Sequence, residues 1–143
     1  IKNLISQRIK LKEKFSKSIE VKSEDFLLSQ SDRTFVEKAI QIVQENIDNP
    51  DFNTEIFAQK MYLSRSQFHR KFQQAVKETP GEFIRTIRLK TAAKLLLEGQ
   101  FNITQIALEV GFQSLSHFSK AFRQFYNCNP SEFVKNNKNA QLN

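Results

Sequence analysis

The chain has 143 residues, of which 39% are hydrophobic and 26% charged, and its 22 lysines and arginines against 15 acidic residues give a net charge of +7. This composition is typical of one or two small soluble globular units, and the sequence lacks the run of about 18 to 20 apolar residues that a transmembrane helix needs. One cysteine and two histidines are too few for an internal disulfide or a structural zinc site, so we expect no metal and no cofactor.

Charge falls into three blocks along the chain. Basic and acidic side chains number seven and three in residues 1–24, two and seven in residues 25–56, and ten and four in residues 64–123. A basic block indicates either a solvated helical surface or a surface for a polyanion, and charge alone leaves both open. The chain begins with Ile1 and carries no secretion signal, so we expect a cytoplasmic fragment cut from a longer polypeptide.

Apolar residues recur with helical spacing from residue 32 onward, and no strand pattern of comparable strength is present. The first amphipathic helix is predicted from near Asp32 to before Pro50. The fourth helix is long and runs from Pro80 to about Glu98, where Gly99 suits the left-handed residue that ends a helix. The later helices begin at residues whose side-chain oxygens can accept from unpaired amides: Asn53, Ser64, Thr79, Asn102, Ser114 and Asn129. The sequence therefore predicts seven helices and an all-α fold.

The helical region contains an internal repeat. Phe52 and Asn53 recur 49 residues later as Phe101 and Asn102, whereas the offset is 50 for Ser64, Phe68, Phe72 and Phe83, which recur as Ser114, Phe118, Phe122 and Phe133. The change in offset falls in the turn between two short helices, where an insertion is easily accepted. Each unit has a short helix, a turn of about four residues and a second helix, which is the layout of a helix-turn-helix.

The second helix of each unit, at residues 64–76 and 114–126, has an apolar side and a polar side. Apolar stripes of Phe68, Phe72 and Val76, and of Phe118, Phe122 and Phe125, are expected to face the core. The opposite side of each helix then faces outward. In the first unit it carries Arg65, Ser66, His69, Arg70 and Gln73, and in the second unit it carries Leu115, Ser116, Ser119, Lys120 and Arg123. Both outer stripes lack acidic residues, and a helix of this kind fits the DNA major groove, where arginine bonds guanine O6 and N7.

The long fourth helix would set the separation of these two faces. Its length of about 28 Å, with the flanking turns, is close to the ~34 Å between successive major-groove entries on one side of B-DNA. Arg85 and Arg88 share one side of this helix, either as phosphate ligands or as internal salt-bridge partners. Leu115 can touch a thymine methyl or pack against its own cap region, and His117 is either structural or a phosphate contact. The phenylalanine pairs are expected in the core rather than as base-stacking platforms.

Residues 52–134 resemble the DNA-binding domain of the AraC/XylS transcriptional regulators. The resemblance is carried by LSRSQFHRKFQQAVKETPGEFIRTIRLKTAAKLLLE at residues 63–98 and IALEVGFQSLSHFSKAFRQFYNCNPSEF at residues 106–133. It implies two helix-turn-helix subdomains, at residues 32–79 and 99–136, joined by a linker helix at 80–98 and followed by a flexible tail at 137–143. One departure is that Tyr62 stands where the second unit has Gly111, so the first turn must hold a side chain in a conformation that glycine adopts more easily.

The resemblance also implies roles for the outward residues. Base-reading positions are expected in two groups, one on each second helix: Ser66, His69 and Arg70, and then Leu115, Ser116, Ser119 and Lys120. Phosphate-positioning residues are expected around them, at Ser64, Arg65, Gln73, Arg85, Arg88, Ser114 and Arg123.

The N-terminal residues carry a second resemblance. IKNLISQRIKLKEKFSK looks like the end of the last helix of a receiver domain and the basic connector after it, as in response regulators and hybrid two-component sensor kinases with this output domain. Residues 1–31 are therefore expected to connect to a missing upstream receiver or sensor domain, in a parent chain compatible with a histidine kinase and an inner-membrane anchor. A solvated charged helix or a disordered arm is the alternative for residues 1–24.

The sequence as a whole predicts a module that binds double-stranded DNA sequence-specifically, regulates transcription and performs no chemistry. Its expected partners are double-stranded DNA, RNA polymerase, a second copy in the parent protein and the upstream domains, without membrane contact. The alternative function is a helical adaptor whose basic faces bind an acidic partner or RNA polymerase. An enzyme is disfavoured because the sequence has no phosphate-cradling glycine loop and no nucleophile with a recognisable base.

Overall fold

The computed structural model describes residues 30–142, which form seven α-helices and no strand. The helices are α1 (Gln30–Glu45), α2 (Thr54–Lys60), α3 (Arg65–Val76), α4 (Pro80–Glu98), α5 (Ile103–Glu109), α6 (Leu115–Tyr126) and α7 (Pro130–Leu142). The all-α class and the seven expected helices are confirmed. The connector expected over residues 1–31 lies almost wholly outside the described residues.

The helix starts follow from local hydrogen bonds. The Asn53 side chain accepts from Ile56 N at 2.9 Å, and Thr79 accepts from Glu82 N at 3.1 Å ahead of Pro80 in the first turn of α4. Ser64 with Gln67, and Asn102 with Gln105, form reciprocal capping boxes with all four bonds between 2.8 and 3.2 Å. Because these bonds join residues three apart, the helix starts are readable from the sequence alone.

Helix α7 extends further than expected. It continues to Leu142, through most of the segment that was predicted to be a flexible tail from residue 137. The sequence offers no glycine or proline after Pro130 that would stop a helix, and Asn137 Nδ2 donates to Phe133 O at 2.8 Å. The end of a helix is less well marked here than its start.

Helix α4 lies between the two units and is buried on most of its sides. It packs against α1 in the first unit and against α5, α6 and α7 in the second. Ten of its 19 residues are buried, from Pro80 through Leu96, and they do not form a single stripe. A helix that is apolar on several sides is typical of the interior of a bundle, and α4 therefore belongs to both cores.

Aromatic rings fill the first unit, which consists of α1, α2 and α3. Phe57 lies at the centre of this cluster, with ring centroids 4.8 Å from Phe68, 5.9 Å from Phe72 and 6.3 Å from Phe83. Phe57, Phe68 and Phe72 are fully buried. The expectation that the phenylalanine pairs form core is confirmed for both units, since Phe118 and Phe122 are also fully buried.

One expected core residue of the second unit lies at its surface. Phe125 is 41% exposed, and the inner position is taken by its neighbour Tyr126, whose ring centroid is 4.6 Å from that of Phe122 and 5.0 Å from that of Phe133. The assignment of Phe125 to the buried stripe was therefore wrong. The physical reason is that positions three and four residues after Phe122 lie on either side of one helical stripe, and packing against α7 selects the second.

Candidate nucleic-acid interface

The outer face of α3 is a continuous exposed surface of polar and basic side chains. Arg65, Ser66, His69, Arg70 and Gln73 are all exposed, and the first four line one open depression. The helix contains no acidic residue, and its inner side is held by the buried Phe68 and Phe72. The structure therefore brings the five expected side chains of this helix together on one surface.

The outer face of α6 is divided into two parts. Ser116, Lys120 and Arg123 are exposed and lie three or four residues apart, so that they form a single stripe. Leu115, which is 42% exposed, and the half-buried Ser119 instead border an apolar groove. The groove has a volume of about 950 Å³ and is also lined by residues of α4, α5 and α7, among them Leu96, Ile103 and Val134.

The starts of α3 and α6 offer hydrogen-bond donors beside these faces. Ser64 Oγ accepts from Gln67 N, and Ser114 Oγ accepts from His117 N, each at 3.2 Å. A hydroxyl that accepts in this way still carries a proton to donate, and amides in the first turn of an α-helix have no intrahelical acceptor. Each start is therefore chemically suited to a phosphate oxygen.

The two arginines of α4 differ in their surroundings. Arg85 is exposed, whereas Arg88 is half-buried and its Nη2 donates to the carbonyl oxygen of Asn49 at 2.8 Å. Burial lowers the pKa of the Arg88 guanidinium from its ordinary value. Of the two alternatives left open by the sequence, the internal one describes Arg88, with a backbone carbonyl as its partner in place of a carboxylate.

Asn49 is a contributor that sequence reasoning missed. It lies in the loop between α1 and α2, 39 residues before Arg88, and no local pattern links the two positions. One signal was available, since a glycine at position 111 in place of the repeat's tyrosine indicates a close approach of neighbouring atoms. Arg88 lies directly against Gly111.

Within residues 30–142 no group of three or more histidine, cysteine, aspartate or glutamate side chains could hold a metal ion. None of the helices in the described region has the length and apolar character needed to cross a membrane.

Comparison with known proteins gives a consistent family. A family model described as a helix-turn-helix domain matches residues 57–136. The chain is 38% identical over 133 residues to histidine kinase P4 of Formosa agariphila, an alignment that covers 93% of this chain and 10% of that protein. The chain therefore spans only about a tenth of that relative's length.

Two solved structures share the fold. The C-terminal domain of AraT, a response regulator from Geobacillus stearothermophilus, aligns with a TM-score of 0.67 and 26% identity over 77% of this chain and 88% of that one. A transcriptional regulator from Chromobacterium violaceum, described among AraC-type DNA-binding domain-containing proteins, aligns with a TM-score of 0.67 and 29% identity, over 75% of this chain and 95% of that one.

Proposed function

Because the chain belongs to the AraC-type helix-turn-helix family, we propose that it binds double-stranded DNA sequence-specifically and regulates transcription. The observation that carries this proposal is the pair of exposed, acid-free faces on α3 and α6, each on the second helix of its unit. Each helix packs on the core of its own unit through fully buried phenylalanines, so its outer side chains project from a rigid base. A rigid α-helix with such a face fits the major groove.

In this proposal α3 reads bases through Ser66, His69 and Arg70. Arginine can donate two hydrogen bonds to one guanine, while serine and histidine can bond to other base edges. All three side chains are exposed and lie within one turn and a half of helix, which is the reach of a few adjacent base pairs.

The second reader, α6, makes a smaller set of contacts. Ser116 and Lys120 are exposed toward the outside, whereas Leu115 and Ser119 lie at the edge of the apolar groove. We assign all four to base reading, with Leu115 positioned for a thymine methyl group, which is an apolar contact. Phosphate oxygens are assigned to the surrounding polar residues, which are Ser64, Arg65, Gln73, Arg85, Ser114 and Arg123.

The parent protein is proposed to belong to a two-component system. A histidine kinase aligns with 93% of this chain and a response regulator's C-terminal domain shares its fold, which supports an upstream receiver or sensor domain. Contacts with RNA polymerase and a second copy are proposed for that parent protein, and any phosphotransfer belongs to domains outside this chain. Binding to chromosomal DNA makes the cytoplasm the proposed place of action.

Selection of bound duplexes from a random pool tests the function, followed by footprinting at physiological salt. We expect one enriched motif with two parts, and affinity for it that exceeds affinity for random duplex by about 10³-fold or more. Equal affinity for the selected and random duplexes would contradict sequence-specific binding. An acidic protein that competes better than duplex would favour the adaptor alternative.

Arg70→Ala then tests direct reading by α3. We expect a loss of about 1–3 kcal/mol and relaxed preference at one base position. Gln74→Ala is the matched control, because Gln74 is exposed on the same helix but lies outside the assigned stripe. A loss for Arg70→Ala that is the same on every duplex would show a phosphate contact and remove the base-reading role.

A further inference from the structure

The two helix-turn-helix units touch at a junction formed by Arg88, Gly111, Ile47 and Asn49, here called the subdomain junction. Gly111 lies in the turn of the second unit, Ile47 and Asn49 lie in the loop after α1 of the first, and Arg88 projects from the shared α4. A Cβ added to Gly111 would lie 2.3 Å from Ile47 O and 2.9 Å from both Cζ and Nε of Arg88. The turn of one unit therefore meets the backbone of the other with no room for a side chain.

The loop after α1 in the first unit is held by several hydrogen bonds of its own. Asn49 O accepts from Phe52 N at 3.2 Å as well as from Arg88 Nη2 at 2.8 Å, and Asn49 Oδ1 accepts from Asp51 N at 2.9 Å. Asn46 Nδ2 also donates to Ile42 O at 2.8 Å. These bonds hold the loop after α1 around the carbonyl oxygen that accepts from Arg88.

The guanidinium of Arg88 makes its contacts within this junction. Its Nε is buried and has no hydrogen-bond partner among residues 30–142, and its Cζ lies against Gly111. The half-buried guanidinium could not turn toward a phosphate without giving up its contacts with Asn49 O and Gly111. A phosphate ligand would keep its guanidinium accessible, as Arg85 does one turn earlier on the same helix.

We propose that Arg88 is a positioning residue that locks the second unit against the first through Gly111 and Asn49, and thereby fixes the spacing of the two recognition helices. Helix α4 alone sets the distance along its axis, whereas the junction sets how the second unit is rotated about that axis. DNA requires both, because major-groove segments recur at a fixed distance and a fixed angle. The effect of Arg88 on DNA binding rests on the proposed function, whereas its contact between the two units does not.

Distance measurements between spin labels test the lock without DNA. Labels are placed at Gln74→Cys on α3 and Gln124→Cys on α6, which are exposed positions with equivalent places in the repeat, in a Cys128→Ser background. We expect one narrow distance distribution in this protein. Arg88→Met should widen it at least about twofold, while Arg85→Met, which changes an exposed arginine of the same helix, should leave the distances unchanged.

Gly111→Ala disturbs the same junction from the second unit, and it replaces Arg88→Met in this test if Arg88→Met does not fold. It is compared with Gly99→Ala, because Gly99 also has a positive φ of 73° but nothing within 4 Å of an added Cβ. A shifted or widened distribution in Gly111→Ala and not in Gly99→Ala supports the junction. Unchanged narrow distributions in both Arg88→Met and Gly111→Ala would overturn it.

Binding to the selected duplex tests the consequence. Insertion of one base pair between the two halves should weaken binding of the unmodified protein by about tenfold, and should weaken that of Arg88→Met by less than about threefold, because a loosened pair of readers tolerates altered spacing. Arg88→Lys should behave like Arg88→Met, since a lysine lacks the planar guanidinium. Equal insertion penalties in the unmodified protein and Arg88→Met would overturn the positioning role.

The salt dependence separates positioning from phosphate binding. Arg88→Met should leave the slope of log K against log salt unchanged, whereas loss of a phosphate ligand lowers its magnitude by about 1. A drop of about 1, with rescue by Arg88→Lys, would reassign Arg88 to phosphate. If the unmodified protein does not distinguish the selected from random duplex, the proposed function fails while the spin-label distances still decide the lock.

Discussion

The turns of the two helix-turn-helix units have similar backbones and different surroundings. Tyr62 and Gly111 occupy equivalent places and have φ angles of 59° and 92°, both in the left-handed region. Tyr62 is 85% exposed, and Lys38 Nζ lies 5.0 Å from the centroid of its ring, whereas Gly111 is buried against Ile47 O and Arg88. The comparison teaches that the repeat dictates the path of the chain, while neighbouring elements dictate which side chain each position can accept.

The two cores differ in the same manner. Phe83 and Phe133 are equivalent in the repeat, but Phe83 is 1% exposed and Phe133 is half-buried. Phe83 has the rings of Phe72 at 4.9 Å and Phe57 at 6.3 Å, in a unit that is also covered by α1. In the second unit, α4 takes the place before α5 and packs against α5, α6 and α7, yet the ring of Phe133 keeps part of its surface in solvent. The first unit is therefore the better enclosed of the two.

The largest expected effect follows from this difference in enclosure. Phe83→Ala should lower the free energy of unfolding by about 3–5 kcal/mol, because it leaves a cavity among rigid aromatic neighbours. Phe133→Ala should lower it by about 1–3 kcal/mol, since part of that ring already contacts solvent. Urea unfolding of both variants measures the two values. Equal losses would mean that the units are equally well enclosed.

Gly111→Ala is expected to have the next largest effect on stability. The left-handed backbone costs an alanine about 1–2 kcal/mol, and the contacts with Ile47 O and Arg88 add about 1–3 kcal/mol of overpacking. Gly99→Ala should show only the first of these costs, because nothing lies within 4 Å of its added Cβ. Thermal unfolding of the two variants gives the difference. A similar loss of stability in both variants would mean that Ile47 and Arg88 move aside without a loss of free energy.

Substitutions of Tyr62 measure the cost of the left-handed backbone in the turn of the first unit. Tyr62→Gly should be about 1 kcal/mol more stable than Tyr62→Ala, because both lose the contact with Lys38 and only glycine relieves the left-handed strain. Chemical denaturation of the pair isolates the backbone cost, since the substitutions remove the same ring. An alanine variant as stable as the glycine variant would show that the first turn carries no such strain.

Much of the fold could be predicted from the sequence because its signals are local. The capping residues Ser64 and Asn102 bond to amides three residues away, and the apolar spacing marks which side of each helix is buried. These interactions need no knowledge of distant parts of the chain. Phe125 marks the limit, since the choice between it and Tyr126 for the inner position is made by α7 and not within α6.

The candidate interface divides along the same line. The exposure of Ser66, His69 and Arg70 follows from helical periodicity opposite a buried pair, and the structure has them exposed as expected. The surroundings of Arg88 could not be obtained in this way, because its partner Asn49 is 39 residues away in a loop. Which of the exposed residues contact bases stays a prediction, since that depends on the duplex.

The smallest expected effect concerns Glu78, which is half-buried between α3 and α4 and whose equivalent in the second unit is Cys128. Burial, followed by repulsion from Glu82, raises the pKa of Glu78 above its ordinary value, against the attraction of Lys90. The folded state therefore binds the proton more tightly than the unfolded state, so at neutral pH the charged carboxylate lowers stability. This loss is recovered as the pH falls through the raised pKa of the folded state, and it is gone below the unfolded value of 4.5. Glu78→Gln should raise the free energy of unfolding at pH 7 by less than about 1 kcal/mol, because solvent screens a half-exposed group. Denaturation from pH 7 to pH 4 should show this gain shrinking, and a Glu78→Gln variant that is less stable at pH 7 would mean that the attraction of Lys90 outweighs burial.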